Sequence, residues 1–160
     1  MLCSIELWLR FASYSIGVLF RGRWPLTVRD GEILARQLFS GHVRSNGRIK
    51  VNAFLATRSN GFAISLDRWS KAPERLFKTL GEKAAITRRP QSFKGFAVFD
   101  AARLKSIYIK DLQQIRALGA PTKRNPFHAD IPLPPDQDGS FYLLVATELR
   151  DKTNLKPVLY

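Results

Sequence analysis

The chain has 160 residues, 45% of them hydrophobic and 24% charged, which is enough apolar content for one packed core and too much for wholesale disorder. Its one cysteine, Cys3, excludes an internal disulfide and any cysteine-based zinc site, and it favours a reducing, cytoplasmic setting. Twenty-six Lys and Arg against thirteen Asp and Glu leave a formal charge of +13, which points to polyanions: nucleic acid or a nucleoprotein assembly first, an acidic protein second.

Met1 to Phe20 is apolar enough to raise a signal peptide or a membrane anchor. A signal peptide needs a positive start and a small-residue cleavage site, and here Glu6 is the first charge. A spanning helix needs an uninterrupted apolar run, which Glu6, Arg10 and the serines break, so a membrane partner is disfavoured. The segment reads instead as a packed element or as an N-terminal extension. Residues 1–29 are set apart on this basis from a single domain over 30–160.

Asp30 is placed to cap a helix over Gly31–Phe39, with Ile33, Leu34 and Leu38 on one stripe. Arg48–Ala56 reads as a strand, since Ile49, Val51, Ala53 and Leu55 alternate with polar residues. Asn60-Gly61 supplies a hairpin-type turn, and Phe62–Leu66 returns as a second strand. A helix over Ser70–Ala84 carries Leu76, Phe77 and Leu80 on its apolar face, with Pro73 in its first turn. Phe93–Phe99 is a strand, Asp100 caps a short helical turn over Ala101–Leu104, and Ser106–Ile109 reads as another short strand. Five of the nine prolines fall between Pro121 and Pro135, which makes the stretch to Asp138 extended. A last helix over Ser140–Lys152 is expected to bury Leu143, Leu144, Ala146 and Thr147 or Leu149. The order of elements indicates an α+β fold: a small, largely antiparallel sheet with two or three packed helices.

No phosphate-binding glycine loop, HExxH, CxxC or GxSxG motif is present. No metal site and no cofactor are expected: His42 and His128 are the only histidines, and although a site of both with Asp130 is conceivable, His128 and Asp130 lack a diagnostic ligand spacing. The proline-framed stretch Asn125 to Pro132 holds His128 and Asp130 two residues apart, on one side of an extended chain. That spacing suits an acid/base pair or a ligand contact. It equally suits a histidine that ties the loop to the core, with Phe127 and Ile131 packed inward.

The basic residues form a second constellation. Ile33 to Leu66 contains five Lys or Arg and no acid, and Lys83 to Arg124 contains ten against Asp100 and Asp111. Arg48, Lys50, Arg58, Arg68, Arg88, Arg89 and Lys94 are the candidate phosphate contacts, with Trp69 as either a stacking platform or a core residue. No RNP motif, helix-turn-helix pattern or zinc finger is visible, so sequence-specific readout is not expected.

From about Ile33 onward the chain resembles a family of small uncharacterised bacterial proteins. The motifs that carry the resemblance are Leu34-Ala35-Arg36 with Phe39-Ser40, Gly47-Arg48-Ile49-Lys50, Ile64-Ser65-Leu66-Asp67-Arg68-Trp69-Ser70, Phe93-Lys94-Gly95-Phe96 and Asn125-Pro126-Phe127-His128-Ala129-Asp130-Ile131. The resemblance implies an ordered domain and no particular activity. Two functions are therefore carried forward: a basic accessory protein binding nucleic acid or a nucleoprotein through phosphate contacts, and a small enzyme acting on an anionic substrate with His128, Asp130 and Arg68 or Arg48. A protein-interaction subunit with an acidic partner is the third possibility.

Overall fold

The computed structural model describes residues 27–87, 91–107, 115–122, 125–135 and 137–157. The apolar segment before Thr27 and the pair Arg88 and Arg89 lie outside the described residues. Six strands form one sheet: β1 Ile33–Phe39, β2 Ala63–Asp67, β3 Phe93–Asp100, β4 Leu118–Gly119, β5 His128–Pro132 and β6 Asn154–Pro157. Their order across the sheet is β4-β5-β2-β1-β3-β6, and every neighbouring pair is antiparallel. Helix α1, Glu74–Thr87, covers one face, and helix α2, Gly139–Asp151, covers the other. The α+β fold with an antiparallel sheet is as the sequence indicates.

The segment expected to be the first helix is strand β1. Adjacent residues of it are buried because both of its faces are covered: Leu34 and Leu38 enter the α2-side core, Ala35 and Phe39 enter the α1-side core, and Arg36 and Gln37 between them are half-buried. A doubly covered central strand loses the in/out alternation that marks a half-exposed one, and Leu34 and Leu38 at four-residue spacing imitate a helical stripe. The deciding factor is a seven-residue register against β3, from Ile33↔Asp100 to Phe39↔Phe93. Its last step skips Lys94, and Gly95 takes φ +125° there, making a bulge of two residues against one.

The expected strand over Arg48–Ala56 is also corrected. Val51–Phe54 is a 3₁₀ turn whose Ala53 and Phe54 pack into the α2-side core. The Asn60-Gly61 turn forms with Gly61 at φ +66°, yet a 3₁₀ turn over Arg58–Asn60 leads into it, so no hairpin results. β2 pairs with β1 and β5 instead. β1 and β2 share one residue pair, Ala35↔Asp67. Beyond it the Arg36 guanidinium fills the gap, Nη1 donating to the Ser65 carbonyl at 2.6 Å and Nε to the Ala53 carbonyl at 3.0 Å. A side chain thus satisfies carbonyls that a ladder would otherwise hold.

The remaining elements follow the sequence more closely. α1 buries Phe77, Gly81 and Ala85, and Asp100 accepts the Ala102 N–H at 2.8 Å to open the 3₁₀ turn Ala101–Ser106. Ser106 ends that turn and Ile107 is buried without joining a strand; Tyr108 and Ile109 lie outside the described residues. Asp138 caps α2 by accepting the Phe141 N–H. The buried stripe of α2 is Tyr142, Val145, Ala146 and Leu149, whereas Leu143 and Leu144 are exposed by 53% and 46%. The stripe falls at steps of three, one and three residues, as one face of a 3.6-residue helix requires, and this places Leu143 and Leu144 to the side of it.

Candidate functional site

Two places on this scaffold gather the candidate residues. The first is a short hairpin after β1. Val43 and Ile49 form an antiparallel bridge, Arg44 donates its backbone N–H to the Arg48 carbonyl at 2.9 Å, and Gly47 donates to the Arg44 carbonyl at 3.0 Å. Gly47 sits at φ +78°, so the loop is a β-turn closed by a glycine bulge. The Asn46 side-chain oxygen accepts the Arg48 N–H at 3.1 Å, and Lys50 donates its N–H to the His42 carbonyl at 2.8 Å.

This register gives the hairpin two chemically different sides. Val43 and Ile49 pack against the α2-side core. Alternation then turns Arg44, Arg48 and Lys50 to the other side, with Arg44 directly opposite Arg48; both arginines are exposed and Lys50 is half-buried. His42 turns back on β1, its Nδ1 accepting the Phe39 N–H at 3.4 Å and its ring meeting the Phe39 ring edge-on. Among the described residues no acidic side chain pairs with Arg44, Arg48 or Lys50. Arg44 was not among the residues singled out by sequence. Its mirror position to Arg48 about Ser45-Asn46-Gly47 is the signal that would have found it.

The other basic candidates separate. Arg58 is exposed on its 3₁₀ turn and Lys94 is exposed on the β3 bulge. Arg68 is 3% exposed and is withdrawn from any surface: its Nε and Nη2 donate to the two carboxylate oxygens of Glu32 at 2.7 and 2.6 Å, with Lys71 at 3.9 Å. Burial pushes the Glu32 carboxyl up, but the Arg68 hydrogen bond, the Arg29 backbone N–H and the charges of Arg68 and Lys71 outweigh it and hold Glu32 below its ordinary value. Trp69 is half-buried and packs against the α1-side core, stacked on Phe77 at 5.4 Å and edge-on to Phe96 at 4.6 Å.

The second place is a cleft of about 860 Å³ between α1 and the polar ends of β2 and β5. The β2–β5 register sets Asp67 opposite His128 and Ser65 opposite Asp130, and all four share one side of the sheet by alternation. His128 and Asp130 meet as the sequence spacing allows, Nε2 to Oδ1 at 3.1 Å. Asp67, 2% exposed, accepts from the Gln37 amide at 2.8 Å and from the Asn125 amide at 2.6 Å. Burial pushes its carboxyl up, against the lowering by Gln37, the His128 charge, Asn125 and the Arg36 charge. Neither Arg68 nor Arg48 lines this cleft. Among the described residues no group of three or more His, Cys, Asp or Glu is arranged to hold a metal ion, and no helix is long and apolar enough to cross a membrane.

Compared with family models, curated proteins and solved structures, the chain matches none of them.

Proposed function

We propose that this protein binds nucleic acid, free or within a nucleoprotein assembly, through sequence-independent phosphate contacts centred on the His42–Lys50 hairpin. The observation that carries the reading is the register of that hairpin, which holds Arg44 and Arg48 face to face on a side whose reverse is anchored to the core. Like charges directly opposite across two strands repel, at about 0.2–1 kcal/mol per pair. A phosphate between them turns that repulsion into two charge-assisted hydrogen bonds. The net charge of +13 and the acid-free run from Ile33 to Leu66 supply the longer-range attraction. Arg58 and Lys94 are the further exposed contacts, and Arg88 and Arg89 belong to the same proposal. A cytoplasmic setting fits both this partner and the single cysteine.

The test is fluorescence anisotropy of labelled single-stranded and duplex oligonucleotides across a salt series. Binding is expected to weaken steeply with salt and to differ little between sequences. The double variant R44E/R48E should flatten the log–log salt slope by about 1.4 for single strands and about 1.8 for duplex, at 0.7–0.9 per phosphate contact. Absence of binding at low salt, or an unchanged slope in the variant, would overturn the reading.

A further inference from the structure

The phosphate-binding reading leaves the cleft under α1 unused, although hydrogen bonds hold its polar groups in place. Asp130 takes the Nε2 hydrogen of His128, which orients the ring; in the neutral imidazole Nδ1 is then an acceptor. Nδ1 has no protein partner among the described residues, and no buried side-chain nitrogen or oxygen lacks one. That nitrogen is therefore open, and His128 lines the cleft.

Beside it sits a group that packing alone does not explain. Asp67 is sealed from solvent and clamped by two amides, and among the described residues no cation stands at salt-bridge distance from it. A buried carboxylate of this kind detracts from stability compared with an apolar residue of similar size, and it stands at the floor of the cleft. Leu80 and Ala84 of α1, with Phe39 of β1, form an apolar wall, and exposed Lys83 of α1 stands beside it. The volume falls within the range of small-molecule sites, about 300–1,000 Å³.

From this juxtaposition we propose that the cleft binds a nucleoside monophosphate: a flat body against the apolar wall, a donor of the base or sugar bonded to His128 Nδ1, and the phosphate paired with Lys83. The site is separate from the hairpin and stands or falls independently of it.

The test is NMR titration of the full chain with AMP, GMP, CMP and UMP in turn, with the matching nucleosides and inorganic phosphate as separate arms. At least one nucleotide should shift the His128 ring signals and the Gln37 and Asn125 side-chain amides while leaving residues 43–49 in place. H128A should weaken that nucleotide about three- to tenfold, the loss of one hydrogen bond. K83A should weaken the nucleotide and leave its nucleoside unchanged. The wild-type titration decides the matter even if a variant misfolds. No shift with any of the four at about 10 mM, where a site of about 1 mM affinity is nine-tenths full, would overturn the proposal. So would shifts confined to the hairpin, or the same cleft shifts from inorganic phosphate alone. Oligonucleotide binding that persists in any of these cases leaves the hairpin reading intact.

Discussion

Arg68 and Glu32 show how far a charged residue's role depends on what folds around it. Two hydrogen bonds of 2.6 and 2.7 Å join them in a setting where both are nearly sealed from water. Removing one partner leaves the other as an uncompensated buried charge. R68A is therefore expected to cost about 3–5 kcal/mol in urea unfolding, and E32L/R68M to cost less than that single change. Because the folded Glu32 carboxyl lies below its unfolded value, its stabilisation is present above the unfolded pKa and is lost as pH falls through the folded one. The pH dependence below neutrality should shrink in E32L/R68M. Asp67 acts in the opposite sense, since burial raises its pKa: folding favours its protonated form, and its contribution declines as pH rises from the unfolded value through the folded one. The adjacency of His128 and Asp130 was legible in the sequence, because two residues apart in an extended chain share a side. The partners of Asp67 were not, since Gln37 lies 30 and Asn125 58 positions away.

Among the elements, α1 is the clearest case of a local pattern completed by a distant contact. Its apolar stripe announces a helix, but its closeness to the sheet depends on Gly81. A Cβ built there would lie 2.4–2.7 Å from three atoms of the Phe93 ring. In an exposed helix Gly→Ala gains about 1 kcal/mol of propensity. Here the overlap should outweigh that gain, and G81A is expected to destabilise by roughly 1–2 kcal/mol net, given the usual 1–3 kcal/mol cost of overpacking; thermal or urea unfolding measures it. α2 lies where the sequence places it, but its buried face is Tyr142, Val145, Ala146 and Leu149, and the leucines Leu143 and Leu144 lie beside that face. β1 was read as a helix for a related reason. A strand covered on both faces buries neighbouring residues, here Leu34 with Ala35 and Leu38 with Phe39, and only its pairing with β3 tells it from a helix.

For the molecule as a whole, the charge is the dominant fact. Thirteen excess positive charges on a chain of 160 residues repel one another in the compact state. Raising salt from about 0.02 M to about 0.3 M shortens the screening length to well under 10 Å. Global stability is therefore expected to rise over the interval in which nucleic-acid affinity falls, and urea midpoints and anisotropy in the same buffers would show the two trends crossing. A midpoint that falls with salt would mean that attractive pairs such as Lys105–Asp30 and Lys152–Glu148 outweigh the net repulsion.

By itself the sequence determined the basic character, the helices α1 and α2, the turn at Asn60-Gly61, and the shared side of His128 and Asp130. Each of these follows from composition or from residues within a few positions of one another. The tertiary structure alone decided the strand order, the identity of β1, the burial of Arg68, and the cleft that Asp67 floors. These rest on contacts between segments whose separation in sequence carries no periodic signal, and on which face of each element the sheet happens to cover. Local patterning reports that a residue prefers burial or a turn; which partner meets it there is settled only when the strands pair.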